Sequence, residues 1–549
     1  MDQHDKKNFR REGRSERRPG ENRPQHGERR YEKRDGKPFE KREGKPFEKR
    51  EGKPFEKRDG KPFVKREGKP FEKSEGGKRP FDKRGPRPAQ KPQAKPAPYQ
   101  PSARDVALKA LRNVARENAY AAQALDRELS VVHLSDDDRR LAASIFYFAL
   151  ENRLRIEKLI SVHVKQRPEP EVVEILVIGA AQILFMQKIP DHAAVDEAVK
   201  QTRRSGRESM TALVNAVLRN LIRERDAGEL VLPDRESEPA KFISENYSVS
   251  LPLVERLIAA YGLELTEQIA AWKPNRHSAI IRPNRLRMGE ADFENWLNLN
   301  GFEWEKAIVP GAYCVNGAGK LAAHEGYRTG LFSIQGESSM LAAYAVEAKP
   351  GMQVLDACAA PGGKSCLMAE MMGGSGRVYA WDLHEHRVEL IRAAARRLDL
   401  ENLRPQVRDA GKRLESLELS MDAVLVDAPC SGLGVMGDKP DIKYRLTPET
   451  IDALVPIQKQ ILETCAGYVK PGGRLVYSTC TILPEENEMQ VRAFLAAHPE
   501  FEPDCDARWL PEALRESFKD GMVQILPCRD GIEGFFIARL KRKADYYAG

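Results

Sequence analysis

Apolar positions recur at two different periods along this chain, and the change of period divides it. Between residues 102 and 225 the period is helical. Ser102 stands as an N-cap, after which Ala107, Leu108, Leu111, Val114 and Ala115 share one helical face. Ser135, with Asp138 three residues on, resembles a capping box ahead of Leu141, Ile145 and Phe148. The run from Val172 to Met186 is apolar on all sides except at Glu174 and Gln182, which predicts a buried helix. Ile189-Pro190-Asp191 opens another helix, and Leu213 to Leu218 lies in the last. At least five helices with no strand pattern predict an all-α bundle of about 120 residues.

Residues 226–238 (DAGELVLPDRESE) read as a charged linker. Residues 239–345 mix the two periods. Ser278–Pro283 and Ala312–Val315 read as strands and Glu290–Leu299 as a helix, which predicts a small α+β module, a candidate RNA-binding one. From 346 to 549 strands and helices alternate. Strands are expected at Gln353–Ala357, Arg377–Asp382, Leu403–Arg408, Asp422–Asp427 and Arg474–Thr479. Helices are expected at Lys364–Met372, His384–Leu398, Pro448–Val469 and Pro484–Ala497. Short connections between them predict a parallel, doubly wound α/β sheet of Rossmann-like type. Met522–Leu526 and Gly534–Leu540 read as a hairpin on one edge.

Composition adds a fourth region. The 549 residues carry a net charge of +8, but residues 1–100 hold 33 Lys+Arg against 18 Asp+Glu. That is +15, leaving the remainder with 57 against 64 and a net of −7. Within residues 1–101 a unit close to G-K-P-F-E-K-R-E repeats every eight residues, with Phe39, Phe47, Phe55, Phe63 and Phe71 in register. One Phe per unit among charges buries too little apolar surface to offset chain entropy, so this tail is expected to be disordered. Its Phe and basic residues could engage a nucleic acid, or the segment could be a solvated extension; composition does not separate the two.

The eight cysteines lie after residue 300 and form no Cys-x-x-Cys pair, so neither a disulfide framework nor a metal site is expected. The N-terminal MDQHDKKNFRREGR lacks the apolar core of a signal peptide, and Val172–Met186 is too short and polar to span a membrane. A cytoplasmic setting is the expectation.

Candidate chemistry gathers where strands end. Val354 to Lys364 reads as a strand, a loop of small residues (Cys358, Ala359, Ala360, Pro361, Gly362, Gly363) and a helix start at Lys364. Small residues let a ligand approach the backbone, and helix-start N–H groups face it. Asp382 ends the next strand, 26 residues after Asp356, where a carboxylate can accept both hydroxyls of a ribose. Asp409 and Asp427 also fall at strand ends. The loop is neither G-x-G-x-x-G nor a Walker motif, which disfavours nicotinamide and nucleoside triphosphates. Asp427-Ala428-Pro429-Cys430-Ser431-Gly432 follows the fourth strand and Ser478-Thr479-Cys480-Thr481 the fifth. In an open parallel sheet both cysteines then lie on the ligand side. Cys465, in an apolar helical stretch, reads as a buried hydrophobe. For Cys430 and Cys480 a disulfide is the alternative, disfavoured by the expected compartment.

DACAAPGGK, DAPCSG and YSTCT, in this order on this alternation, resemble the RNA 5-methylcytosine methyltransferases of the Nol1/Nop2/Sun family. RTGLFSIQGESS, Pro440-Asp441-Ile442-Lys443, Pro484-Glu485-Glu486-Asn487 and Gly534-Phe535-Phe536 resemble family features too. The bundle, with KIPDHAAVDEAV and LVNAVLRN, is similar to NusB-like RNA-binding domains, and that pairing belongs to the bacterial branch acting on 16S ribosomal RNA. The resemblance covers about residues 102–541. It implies S-adenosyl-L-methionine as cofactor, held by Cys358 to Lys364, Asp382, Asp409 and Asp427. It implies Cys480 as the nucleophile at carbon 6 of a cytosine, Cys430 in release of the adduct, and Asp427 at the ring nitrogen. Ser365 stands where many relatives have Thr, which keeps the hydroxyl. RNA is the expected partner, 16S ribosomal RNA first; transfer RNA, or a non-catalytic RNA-binding role, is the alternative. A monomer is the expected state.

Overall fold

A computed structural model of the protein describes residues 99–545 apart from 118, 276 and 277. The repeat tail, and the expectation of disorder attached to it, lies outside the described residues.

The N-terminal part is a bundle of α1 (Ala103–Glu117), α2 (Ala121–Val131), α3 (Asp136–Glu151), α4 (Arg153–Ser161), α5 (Pro170–Phe185), α6 (Asp191–Arg204) and α7 (Thr211–Ala227). Ser102 and Ser135 do cap α1 and α3, accepting the N–H of Asp105 (3.3 Å) and Asp138 (3.1 Å). Helix α5 is the axis of the bundle. Every residue from Val172 to Ile183 is buried, because α1, α3, α4, α6 and α7 all pack on it. Its two polar residues are paired: Glu174 takes both Nη atoms of Arg153 (2.6 and 3.0 Å), and Gln182 accepts Arg104 Nε (2.7 Å). Gly179 lets α7 close in, since a Cβ there would meet the Leu218 side chain at 2.7 Å.

After residues 228–238, three helices follow that the mixed pattern did not resolve: α8 (Pro239–Tyr247), α9 (Leu251–Tyr261) and α10 (Leu263–Ala271). They do not form a domain core of their own. Ile243, Leu253, Leu257 and Ile269 share one cluster with Leu433, Ile451, Ile482 and Leu483 of the C-terminal part. A four-stranded antiparallel sheet comes next, in the order β2-β3-β1-β4. Its strands are β1 (Ser278–Pro283), β2 (Trp304–Lys306), β3 (Tyr313–Asn316) and β4 (Phe332–Ile334). The helix Glu290–Leu299 covers it through Phe293 and Leu297. β2 and β4 are three residues each, too short to show an alternation.

The helix Glu337–Val346 lies in sequence with this module but packs in the core of the large sheet, with Met340, Leu341 and Ala345 beside Val354 and Val476. The large sheet runs β10-β12-β9-β8-β5-β6-β7, with β11 also on β12. β5 (Gln353–Asp356), β6 (Arg377–Asp382), β7 (Leu403–Val407), β8 (Met421–Asp427) and β9 (Val469–Thr479) are parallel. β12 (Phe535–Arg542) is antiparallel to β9 and pairs with β10 (Phe501–Pro503) and β11 (Met522–Ile525). The β11–β12 pair is the expected hairpin, but β12 sits between β9 and β10 rather than at the edge. Alternation splits the strands between two cores: Val354, Ala423, Leu425 and Val476 face one, Leu355, Val424, Val426 and Leu475 the other. β9 starts five residues earlier than expected, with Pro471-Gly472-Gly473 inside it, and the Pro448 helix accordingly stops at Ala466. The expected Pro484–Ala497 helix is a 3₁₀ turn at Pro484–Glu486 followed by a helix at Glu488–Ala497.

The bundle joins the catalytic sheet through the segment after the Pro-Cys loop. Tyr444 donates its hydroxyl to Leu150 O and accepts the Arg153 N–H (3.2 Å), at the α3–α4 corner. Arg445 lies 3.9 Å from the centre of the Tyr120 ring.

Candidate active site at the strand ends

Order reverses between β5 and β8. From β5 the chain builds outward to β7, then returns to place β8 and β9 on the other side. Ligands of such sheets bind beyond the carboxyl ends at this crossover. Asp356 and Asp382 end β5 and β6, Asp409 follows β7, Asp427 ends β8 and Cys480 follows β9. At about 4.8 Å per strand, the row from β8 to β7 spans about 14 Å, the length of an extended nucleoside with a side arm.

The small-residue loop turns tightly from β5 into the helix Gly363–Met371. Ala359 donates to Trp381 O (2.7 Å) and Gly362 to Ala359 O (2.7 Å). Gly362 has φ +107°, a conformation a side chain resists, and a Cβ there would press on Ile391. Lys364, in the first turn of the helix, reaches back to Asp427 Oδ2 (2.8 Å), and Ser478 donates to Asp427 Oδ1 (2.8 Å). Burial opposes the charge on Lys364, but Asp427, Asp356 and the Cys480 sulfur outweigh it and hold the ammonium above its usual range. Asp382 is buried, accepts the His384 N–H (3.1 Å) and faces Arg387 (3.3 Å). Asp409 accepts the Gly411 N–H (3.0 Å). Cys358 is a neutral thiol, pushed well up by burial and then by Cys465, Asp356, Asp427 and Asp382 around it.

The structure brings Lys364, Asp427, Cys430 and Cys480 into one contiguous group and sets Asp382 and Asp409 apart along the row. Parallel pairing puts Asp427 level with Ser478, and Ala428 donates to Ser478 O (2.9 Å). The loops that leave the sheet there meet at their sulfurs: Cys430 Sγ and Cys480 Sγ are 3.4 Å apart, a hydrogen bond between free thiols and not a disulfide. The pair is electrically unequal. A hydrogen bond from Cys430 lowers the Cys480 pKa, and Lys439 and Lys364 add to this against burial and Asp427. The same bond, with burial, Glu486 and Asp427, raises Cys430. The two thiols are therefore biased in opposite directions, Cys480 toward ionisation and Cys430 away from it. Cys465 meets the expectation of a buried hydrophobe, its thiol pushed up to about 12.

Several functional groups escaped the sequence reading. Asp356 is fully buried, with Oδ2 accepting Ser365 Oγ (2.6 Å) and Oδ1 unpartnered, and burial lifts its pKa to about 7. Ser431, Thr481, Gln458 and Glu486 surround the cysteine loops; Ser431, Thr481 and Glu486 lie inside the DAPCSG, YSTCT and Pro-Glu-Glu-Asn matches but were given no role, and Gln458 carried no signal. Gln335 backs Gly363 and accepts Arg282 Nε (2.8 Å), and Arg282 is ion-paired with the buried Glu370 (2.6 Å). Among the described residues no His, Cys, Asp and Glu are grouped to hold a metal, and no helix is long and apolar enough to cross a membrane.

Comparison with known proteins now bears on these strand ends. The 16S rRNA methyltransferase RsmB/F family matches residues 343–541, and the NusB family matches residues 101–223. A protein named probable ribosomal RNA small subunit methyltransferase B, from Bacillus subtilis, is 37% identical over 446 residues, covering 80% of this chain and 99% of the relative. This chain belongs to that methyltransferase family. A relative of the same name from Synechocystis is 32% identical, covering 80% of this chain and 99% of its own length. The crystal structure of PH0851 superposes with a TM-score of 0.68 at 26% identity, covering 82% of this chain and all of that one. The family member described here is an RNA methyltransferase whose cofactor is S-adenosyl-L-methionine. Its strand ends fit that cofactor. A ribose diol, an adenine amine and a methionine ammonium are all donors, and Asp382 and Asp409 are acceptors along one row.

Proposed function

We propose that this enzyme methylates carbon 5 of a cytosine in 16S ribosomal RNA, in the cytoplasm, with Cys480 as the covalent nucleophile. The meeting of Cys430 and Cys480 at 3.4 Å, beside the Lys364–Asp427 pair at the strand ends, carries this reading. Carbon 5 of cytosine is too weak a nucleophile to take a methyl group unaided. A free thiol is only a few per cent ionised at neutral pH, so a depressed Cys480 supplies the missing reactivity. Its sulfur adds to carbon 6 and shifts electron density to carbon 5. Asp427, held between Lys364 and Ser478, hydrogen-bonds the ring-nitrogen edge and spreads the developing charge. Bound S-adenosyl-L-methionine supplies an electrophilic methyl group; Cys358 to Lys364, Asp382 and Asp409, with Asp427, hold it. After transfer, loss of the carbon 5 proton to a base re-forms the ring double bond and expels Cys480 as a thiolate. Cys430 assists that release, since its Sγ lies 3.4 Å from the departing sulfur, within hydrogen-bond reach. The target base must leave its stack to reach these groups. The NusB match and the names of the relatives favour small-subunit ribosomal RNA.

Cys480→Ala is expected to abolish methyl transfer while cofactor affinity, read by calorimetry, stays within twofold. Methylation at the wild-type rate in that variant would overturn the assignment. Bisulfite sequencing of 16S ribosomal RNA from a deletion strain is expected to show one unmodified cytosine.

A further inference from the structure

β-ladder hydrogen bonding between β8 and β9 ends at Asp427 and Ser478, yet the two sulfurs beyond it lie 3.4 Å apart. One backbone bond, Gly434 N–H to Cys480 O (3.0 Å), ties the loops there, and side chains do the rest. The residue after each cysteine carries a hydroxyl, and these meet: Ser431 Oγ and Thr481 Oγ1 are 2.7 Å apart. Glu486, from the 3₁₀ turn after β9, caps the pair. One carboxylate oxygen accepts the Ser431 hydroxyl, and the other accepts the Ser431 N–H (2.9 Å) and Gln458 Nε2 (2.8 Å). A hydroxyl has one proton, so Ser431 spends its own on Glu486 and Thr481 must donate to Ser431. The chain therefore runs Thr481 to Ser431 to Glu486. Gln458 also donates to Pro429 O (3.0 Å), on the other side of Cys430, and Tyr477 holds the Glu486 carbonyl (2.7 Å). Thr481, Gln458 and Glu486 have no exposed surface, and Glu486 makes no ion pair among the described residues. Charge this deep without a cation is sustained only by aimed donors.

We propose that Glu486 is a positioning residue for the thiol pair: acting through Ser431 and Thr481, it locks the Cys430 loop onto the Cys480 loop and thereby holds the S–H···S contact. This rests on the reading of Cys480 as nucleophile and Cys430 as the group assisting release. The lock matters twice, because one contact both depresses the nucleophile and stabilises the same sulfur as it leaves. Deleting the cap frees the Pro-Cys loop while leaving the cofactor row at β5 to β7 intact.

The test uses the full-length enzyme, with small-subunit ribosomal RNA from a strain lacking it as substrate. Glu486→Gln keeps size and removes the charge that orders the donors. The rate of Cys480 alkylation by iodoacetamide, followed against pH, should shift to higher pH. Multiple-turnover kcat should fall at least tenfold with KM for RNA and cofactor within twofold, and an RNA adduct should appear on denaturing gels. Ser431→Ala breaks the same chain without touching Glu486, and decides the question if Glu486→Gln fails to bind cofactor. Folded variants with a wild-type alkylation profile and no adduct overturn the lock. An active Cys480→Ala overturns instead the underlying reading, so the two failures are distinguishable.

Discussion

In the bundle, α5 buries every residue from Val172 to Ile183, and nearly all of that surface is hydrocarbon. At the ends of β5, β8 and β9 the buried atoms are of another kind: Asp356, Ser365 in the helix that follows it, Ser431, Ser478, Thr479, Thr481, Glu486 and Asn487 all lie inside. Both regions are closed to water, but they are held differently. Hydrocarbon contacts are non-directional, so the bundle is specified by volume and by the period of its apolar face. Hydrogen bonds are directional and costly to leave unmade, so the strand ends are specified by which donor meets which acceptor. One region supplies stability, and the other converts part of it into the placement of two sulfurs and a carboxylate.

The largest effect that would sharpen this contrast is expected in the bundle. Leu176→Ala should cost about 2–5 kcal/mol in chemical denaturation, whereas Leu176→Met should cost less than about 1.5 kcal/mol. Equal losses from both would mean that shape, not volume, governs there.

A second substitution addresses the polar end. Asp356 titrates near 7 when folded against 3.8 ordinarily, so between these values the folded state holds a proton that the unfolded state has lost. Stability from this group is therefore present below about pH 4 and is lost as pH rises through 7. Asp356→Asn removes the titration and is expected to raise unfolding free energy at pH 8, by up to about 4 kcal/mol and with it Tm, with little change at pH 4. A lowered Tm at pH 8 would show instead that the carboxylate is stabilised by its surroundings.

The smallest effect lies at the joint. Tyr444→Phe removes the hydroxyl shared by Leu150 O and the Arg153 N–H and should cost about 1 kcal/mol. Limited proteolysis is expected to cut residues 226–238 faster in this variant; an unchanged rate would mean that the joint is held by its other contacts, Arg445 on Tyr120 and Arg155 N–H on Ser248 Oγ.

Much of the architecture was readable from periodicity, and the misses have physical causes. The bundle helices and the five parallel strands have full-length apolar patterns. α8 to α10 went unresolved because their apolar faces meet Leu433, Ile482 and Leu483, partners far along the chain. The helix Glu337–Val346 reads as part of the small module by position, and only packing assigns it to the sheet. At the site, Cys480, Cys430 and Asp427 were legible from short motifs at strand ends. Asp356, Ser431 and Thr481 lay inside those motifs but their roles were not legible, and Gln458 lay in none, because the importance of such residues lies in what they touch.

The sequence by itself determined the chemistry available: two thiols, a row of carboxylates and a small-residue loop, each tied to the end of a strand by local pattern. Tertiary structure alone decided how that chemistry is divided. Nothing in two cysteines 50 positions apart says which sulfur is biased toward ionisation. That bias follows from the hydrogen bond between the two sulfurs, with Lys439 and Lys364 acting on Cys480 and burial and Glu486 on Cys430, an asymmetry made by strands and loops distant in sequence. Electrostatic energy falls with distance through space, not along the chain, so only the folded arrangement can assign the roles.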